Sequence, residues 1–235
     1  MRKNLNTNYK IITYGCSFTS YITGTYADIL GCDYITTNRG RSGAGNSYIK
    51  FCLMQDFKSG VLNDIDLVVI QWTGFNRWNY KHKDNWIGMG GNIFNKHNKE
   101  SRTAYRHVRS FYDVDYEEEN FENDMLLVKG FLESKNINHI ILSYGKTKFD
   151  FVDIDNLYDR YKGNYTFLTG EDWIQKPFED NHPTLMSHLK IAEKIAPISK
   201  KTKKFVETKH LEILDRKEFR DHFLDFPNRN ITTGS

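Results

Sequence analysis

The feature that most constrains the fold is the segment over residues 66–72, which reads D-L-V-V-I-Q-W. A short, continuous apolar run rich in β-branched residues is typical of a strand whose two faces are both covered by helices. Similar short runs over residues 10–14, 34–37, 139–144 and 165–168 predict four more strands. The sequence therefore predicts a central sheet of five strands.

Segments with the periodicity of amphipathic helices lie between most of these strands. Apolar residues recur at helical spacing over residues 19–30, 47–57, 116–133 and 184–195, and Pro197 ends the last of these segments. Strands that alternate with helices indicate a parallel sheet, and right-handed crossovers put helices on both of its faces. We therefore expect an α/β fold, a three-layer α/β/α sandwich with a central, mostly parallel five-stranded sheet.

The length of 235 residues corresponds to one large domain with a small appendage. We place the domain over residues 1–198, with an insertion at about 78–102 where Gly, Asn and aromatic residues follow no period. Residues 199–235 predict a C-terminal peripheral helix and tail. The acidic residues Glu117, Glu118 and Glu119 are expected to form a solvated helix start, where the helix dipole favours negative charge.

Composition argues against several classes of function. A net charge of +3 is too small to indicate a nucleic-acid partner. No apolar stretch is long enough for a membrane helix and the first residues show no secretory signal, so a soluble, cytoplasmic protein is the expectation. Cys16, Cys32 and Cys52 follow neither a metal nor a disulfide spacing, and no metal site is expected.

Four polar segments lie where a parallel sheet would bind a ligand. In such sheets ligands bind beyond the carboxyl ends of the strands. The segments that fall there are G-C-S-F-T at 15–19, N-R-G-R-S-G-A-G-N at 38–46, Q-W-T-G-F-N-R at 71–77 and E-D-N-H-P at 179–183. We expect the chemistry of this chain at these four segments.

The first and last segments contain the residue types of a nucleophile and its base. Ser17 directly follows a strand and opens a predicted helix, so its hydroxyl is expected to be exposed near a positive helix end. An N-cap serine is the alternative. His182 follows two carboxylates, which can orient an imidazole as a general base, and a His-Pro pair at a helix start is the alternative. His188 is a backup candidate for the base.

The two middle segments contain groups that can hold an anion. Glycines over residues 38–46 let a backbone N–H approach a ligand closely, although an ordinary glycine loop has the same composition. The Asn76 amide or the Thr73 hydroxyl can donate to an oxyanion, and a turn built from Gly and Asn is the alternative. A phosphate site at residues 40–45 of a nucleotide-binding α/β protein is a competing hypothesis.

In their order along the chain, these segments resemble the four blocks of the SGNH (GDSL-type) hydrolase family, which are named for a serine, a glycine, an asparagine and a histidine. Ser17 matches the serine block, with Cys16 in place of the Asp of the commoner G-D-S. Gly43 and Asn46 match the family pattern N-x-x-x-x-G-x-x-N. The resemblance spans roughly residues 9–196.

The third and fourth blocks depart from the patterns of the family. The third, normally G-x-N-D, has Asn76 followed by Arg77, so Thr73 rivals Asn76 for the oxyanion role. In the fourth, normally D-x-x-H-P, Asp180 lies two residues before the histidine, and Glu179 stands at the usual distance of the family. We expect Asp180 to orient the imidazole, with Glu179 as the alternative.

The resemblance implies a flavodoxin-like fold and a serine esterase that cleaves a small acyl ester, an acetyl ester of a carbohydrate being the first expectation. Ser17, His182 and Asp180 would form the triad, Gly43 and Asn76 would hold the oxyanion, and no cofactor is implied. The alternatives are a catalytically degenerate binding or structural module and an acyltransferase using the same site. The expected partner is a small-molecule or carbohydrate ester, without nucleic acid or membrane, and the oligomeric state is open.

Overall fold

The computed structural model describes residues 8–21, 23–77, 79–82, 85–88, 113–161, 163, 165–169, 176–180 and 182–215. Its strands are β1 (Lys10–Tyr14), β2 (Ile35–Asn38), β3 (Leu67–Trp72), β4 (Asn79–His82), β5 (Asn85–Gly88), β6 (His139–Ser143), β7 (Tyr165–Thr169) and β8 (Lys176–Asp180). Its helices are α1 (Tyr26–Leu30), α2 (Asn46–Lys58), α3 (Val114–Ser134), α4 (Leu157–Tyr161), α5 (Leu185–Ile195) and α6 (Lys200–Asp215).

Four strands form one parallel sheet in the order β2-β1-β3-β6, and helices flank it. All six residues of β3 are buried, since this strand is paired with β1 on one side and β6 on the other. The register aligns Thr13 with Val69 and Val69 with Ile140, so the carboxyl ends of the three strands meet at one edge. The predicted α/β fold with a parallel sheet is confirmed.

The number of strands in that sheet differs from the prediction. Residues 165–168, predicted as its fifth strand, lie in β7, which pairs antiparallel with β8 in a separate two-stranded sheet. Within the described ranges the central sheet therefore has four strands instead of five. The local pattern of β7 indicates a strand but not its partner. The partner strand β8 was not predicted, because it contains Pro177 and no β-branched residue.

The helix predicted over residues 19–30 begins only at Tyr26. Before it, the backbone N–H groups of Thr19 and Ser20 both donate to the carbonyl of Cys16, at 2.9 and 3.0 Å, and close a single turn. Thr25 is the N-cap, and its N–H donates to the Asp28 carboxylate at 2.7 Å. This bond caps the first turn of α1 and fixes its start at Tyr26.

Helix α6 is anchored to the first part of the chain. The Asp33 carboxylate accepts from the Ser199 N–H at 2.7 Å and from the Thr202 hydroxyl at 2.8 Å. The Tyr34 hydroxyl donates to the carbonyl of Pro197 at 2.6 Å. These contacts tie the start of α6 to the turn after α1, and a domain boundary near residue 198 stays a prediction. Over the ranges described, no helix has both the length and the apolar character needed to cross a membrane.

Candidate active site

Ser17 lies in the turn that directly follows β1. The Oε1 atom of Gln71, in β3, accepts from the Cys16 N–H at 3.1 Å and from the Thr19 hydroxyl at 3.2 Å, so the neighbouring strand holds this turn. A Cβ at Gly15 would overlap the Thr19 hydroxyl, and only glycine fits there. The first segment is therefore fixed at the carboxyl edge of the sheet.

The surroundings of Ser17 differ from the expectation of an exposed serine that opens a helix. The residue is only 3% exposed, and the N-cap of the next helix is Thr25. Among the hydrogen bonds of the described residues, the Ser17 hydroxyl donates weakly to the Cys16 Sγ, at 4.0 Å. The tight turn, held by Gln71, takes the place of the predicted helix start.

The glycine segment after β2 is tied to the segment after β3. Asn46 accepts from the Thr73 N–H at 2.9 Å and donates to the Thr73 carbonyl at 3.1 Å, so its side chain fixes this residue at both backbone groups. Gly43 has φ +77°, a left-handed conformation that favours glycine. A Cβ at Gly45 would overlap the carbonyl oxygen of Arg77, so the two loops pack backbone to backbone.

A partly buried ion pair supports the start of the glycine segment. The Asp56 carboxylate, in α2, accepts from the Tyr14 hydroxyl at 2.8 Å and from the guanidinium of Arg39 at 3.0 and 3.1 Å. Burial and the neighbouring Asp56 carboxylate raise the pKa of Tyr14, so its phenol stays a hydrogen-bond donor. The Asp56 carboxylate thereby connects α2 to the end of β1 and to the loop that follows β2.

Thr73 and Asn76, the two candidates for the oxyanion role, both line a cavity beyond the carboxyl ends of β3 and β6. Thr73 is 1% exposed, and its hydroxyl has no hydrogen-bond partner among the residues that the structure describes. Asn76 is half-buried. The cavity has a volume of about 860 Å³, which lies within the range of small-molecule sites.

The imidazole of His182 lies against the turn that carries Ser17. Its ring stacks on Tyr21 with 4.0 Å between centroids and 15° between planes, and meets Phe18 edge-on at 5.7 Å. A Cβ at Gly163 would overlap the carbonyl oxygen of His182, so the glycine lets the two backbone segments approach closely. The first and last segments of the predicted site are therefore neighbours, and they meet through the rings of Phe18, Tyr21 and His182.

The two candidate orienting acids lie in β8, where the backbone of Asp180 pairs with Tyr165 and that of Glu179 with Thr166. Their side chains lie outside the described residues. The role of Asp180, and of Glu179 as its alternative, stays a prediction.

His188, the backup candidate for the base, is fully buried. Burial and, to a smaller extent, the neighbouring His182 lower the pKa of His188 to about 3. A group that stays neutral throughout the physiological range and has no exposed surface is poorly suited to accept a proton from a substrate-facing hydroxyl. His188 is therefore a poor candidate for the base, and the role of His182 stays a prediction.

Sequence reasoning missed two residues of this site. Gln71 holds the Ser17 turn from below, and Tyr21 stacks on His182. The signal for Gln71 was available, because a polar residue inside an otherwise apolar buried strand requires a partner. Tyr21 gave no such signal, because helical spacing assigned it to the apolar face of the helix predicted over residues 19–30.

No family model matches the sequence, and no curated protein matches it significantly. Among solved structures, one similar chain is that of a "putative acylhydrolase" from Bacteroides fragilis. The match has a TM-score of 0.33 and 13% sequence identity, and covers 88% of this chain and 92% of that chain. A similarity at this TM-score supports no conclusion about activity, which depends on the geometry of the site.

Proposed function

We propose that this chain is a serine esterase of SGNH type that cleaves a small acyl ester, first of all an acetyl ester of a carbohydrate or another alcohol. The observation that carries the proposal is the contact of the His182 ring with Phe18 and Tyr21. Phe18 directly follows Ser17 in the sequence, and Tyr21 lies four residues after Ser17. The contact supports the proposal because it brings the segments of Ser17 and His182, which are far apart in the sequence, close together at the carboxyl edge of the sheet, where α/β proteins bind ligands.

In the proposed reaction the Ser17 Oγ attacks the carbonyl carbon of the ester, and His182 accepts the hydroxyl proton. The resulting tetrahedral intermediate collapses when the bond to the alcohol oxygen breaks, and His182 returns the proton to that oxygen. Water, deprotonated by His182, then attacks the acyl-enzyme, and the carboxylic acid leaves as Ser17 regains its proton. Asp180, or Glu179 in its place, would keep the imidazole in the required tautomer.

The oxyanion would be held by the backbone N–H groups of Ser17 and Gly43 together with Asn76 or Thr73. Support for this comes from the Asn46 side chain, which fixes both backbone groups of Thr73. Rigid donors matter because they need no reorganisation as charge develops. The loss of one such donor costs on the order of 3 kcal/mol of transition-state stabilisation.

The test is turnover of p-nitrophenyl acetate together with labelling by a fluorophosphonate probe. We expect the wild-type chain to be active and labelled, and Ser17→Ala to lose both, with kcat lower by on the order of 10⁴-fold or more. Ser20→Ala is the matched control, since Ser20 lies in the same turn, and it should keep both. His182→Ala should lose about as much as Ser17→Ala, because the two residues act as a unit.

Two results would contradict the proposal. Turnover that survives in Ser17→Ala would show that another group is the nucleophile. A wild-type chain that is neither labelled nor active would indicate a degenerate binding module, in line with the Ser17 hydroxyl contacting the Cys16 sulfur in this structure. If a sugar acceptor diverts the acyl group from water, product analysis will show an acyltransferase with the same acyl-enzyme.

A further inference from the structure

One wall of the cavity beside Thr73 is a negatively charged face of α3. Asp115, Glu118, Glu119 and Glu122 all line the cavity, and their spacing of three and four residues puts them on one side of the helix. The Glu122 carboxylate forms an ion pair with the Lys148 ammonium at 2.6 Å. Three carboxylates are then left against the Lys146 ammonium and the guanidinium of Arg77, which lies on the ring of Tyr144, so this part of the cavity has an excess of about one negative charge.

The inner end of the cavity offers a hydroxyl that no described residue satisfies. Thr73 is 1% exposed, and its Oγ1 atom has no partner within the described ranges. Buried hydroxyls are almost always hydrogen-bonded, so an unpartnered one in a cavity wall indicates a place for a ligand. A hydroxyl both donates and accepts, which suits an alcohol or ether oxygen.

Aromatic rings form much of the remaining wall, among them those of Phe121, Tyr144 and Phe149. Such rings attract cations to their faces. The protein itself uses this interaction here, since the Arg77 guanidinium lies 5.5 Å from the ring centre of Tyr144 and the Lys148 ammonium 5.8 Å from that of Phe149. Burial raises the pKa of Tyr144 to about 12, so its ring stays neutral.

The cavity lies next to the proposed reaction site, and its lining does not include Ser17 or His182 themselves. Thr73 and Asn76, the candidate oxyanion donors, are part of its lining, and Tyr144 packs on Phe18, the neighbour of Ser17, at 5.3 Å. An ester with its carbonyl at Ser17 would extend one of its two ends into this space.

We infer that this cavity binds the alcohol part of the ester, and that this alcohol carries a positive charge, as an amino sugar or an amino alcohol does. The inference rests on the proposed esterase activity. The carboxylates of Asp115, Glu118 and Glu119 attract the cation, and the aromatic rings pack against the hydrocarbon part of the alcohol. With Asn76 holding the oxyanion, the Thr73 hydroxyl bonds an oxygen of the alcohol. A small acyl group needs none of these charges, which assigns the cavity to the alcohol.

The test compares two acetates of the same shape, acetylcholine and 3,3-dimethylbutyl acetate, which differ only in the charge of the alcohol. With an excess of about one negative charge near the cation, kcat/KM should favour acetylcholine about threefold at low salt. The preference should shrink in 0.5 M NaCl, because salt screens exposed charges. The double variant Glu118→Gln/Glu119→Gln should reduce it to less than about twofold.

Glu117→Gln is the matched control, because Glu117 belongs to the same acidic run but does not line the cavity. It should keep the preference of the wild type. Turnover of p-nitrophenyl acetate with a ratio near one for the two acetates would overturn the inference and leave the esterase proposal standing. The inference would also be overturned if Glu117→Gln lowered the ratio as much as the double variant does. The preference would then come from the overall negative potential of the helix and not from the carboxylates that line the cavity.

A binding measurement separates the inference from the fate of the esterase proposal. Ser17→Ala cannot turn over, so calorimetry with choline and with 3,3-dimethylbutan-1-ol reports on the cavity alone. Choline should bind more tightly, and the double variant should lose the difference. If no ester is cleaved but this difference is found, the cavity assignment holds and the esterase proposal fails. Equal binding of the two alcohols, or none, overturns the assignment.

Discussion

The buried imidazole of His188 should make the stability of this protein fall steeply in mild acid. His188 is fully buried beside Tyr26, with 6.2 Å between ring centroids, and neither ring nitrogen has a partner among the described residues. Burial, followed by the nearby His182, lowers the pKa of His188 from 6.5 to about 3. The folded protein therefore holds this ring neutral at a pH where the unfolded chain takes up a proton.

The size of the effect follows from this difference in proton uptake. Below pH 6.5 the unfolded state binds one more proton than the folded state, so the free energy of unfolding decreases as the pH falls. Each pH unit between 6.5 and 3 lowers it by about 1.4 kcal/mol, and at pH 5 the loss reaches about 2 kcal/mol. For a domain stabilised by roughly 5–15 kcal/mol, such a loss is readily measured.

Urea unfolding of the wild type and of His188→Leu at pH 7.5 and pH 5.0 measures this loss. Leucine has a similar volume and does not titrate, so the variant should lose about 2 kcal/mol less than the wild type between the two pH values. At pH 7.5 it should be at least as stable, because two buried unpaired nitrogens are removed. His188→Gln should show the same flatter pH dependence. If all three chains lose stability equally, the ring is not held neutral and the reasoning fails.

Two further substitutions test contacts that the fold depends on. Tyr21→Leu removes the ring that stacks on His182 and should lower kcat about fivefold. Tyr21→Phe keeps the ring and should have the kcat of the wild type. Equal activity of the two variants would mean that the ring does not position the imidazole. Asp33→Ala removes the acceptor of the Ser199 N–H and the Thr202 hydroxyl, and should cost about 1–2 kcal/mol in urea unfolding. It should also speed limited proteolysis at the start of α6, and an unchanged cleavage pattern would show that other contacts hold the helix.

The parallel sheet could be predicted because its strands are short apolar runs that differ from everything around them. β3 is the clearest case, since a strand paired on both sides and covered on both faces admits few polar side chains. The same local logic predicted α3, whose buried residues Met125, Val128 and Leu132 recur at helical spacing. The position of the site followed from chain order, because parallel strands bring their carboxyl ends to one edge.

The turn at Ser17 could not be predicted, because distant residues determine it. Helical spacing favours a helix over residues 19–30, but the Gln71 side chain bonds both Cys16 and Thr19 and holds a single turn in its place. The partner of β7 was missed for a related reason, since pairing depends on the path of the intervening chain and not on strand propensity. Local patterns identify elements, whereas contacts between distant residues choose among their arrangements.

Buried polar side chains also point to the position of the candidate site. Gln71, Thr73 and His188 are each at most 1% exposed within segments that otherwise supply the core. A sequence selected for packing alone would have apolar side chains at such positions, because an unpaired buried polar group destabilises the fold. Gln71 has its partners in the Ser17 turn, while the side chains of Thr73 and His188 have none among the described residues. Thr73 directly follows β3 and lines the cavity, and His188 neighbours His182. The polar interruptions of the core thus converge on the same edge of the sheet as the four motifs, and this convergence does not depend on any resemblance to a family.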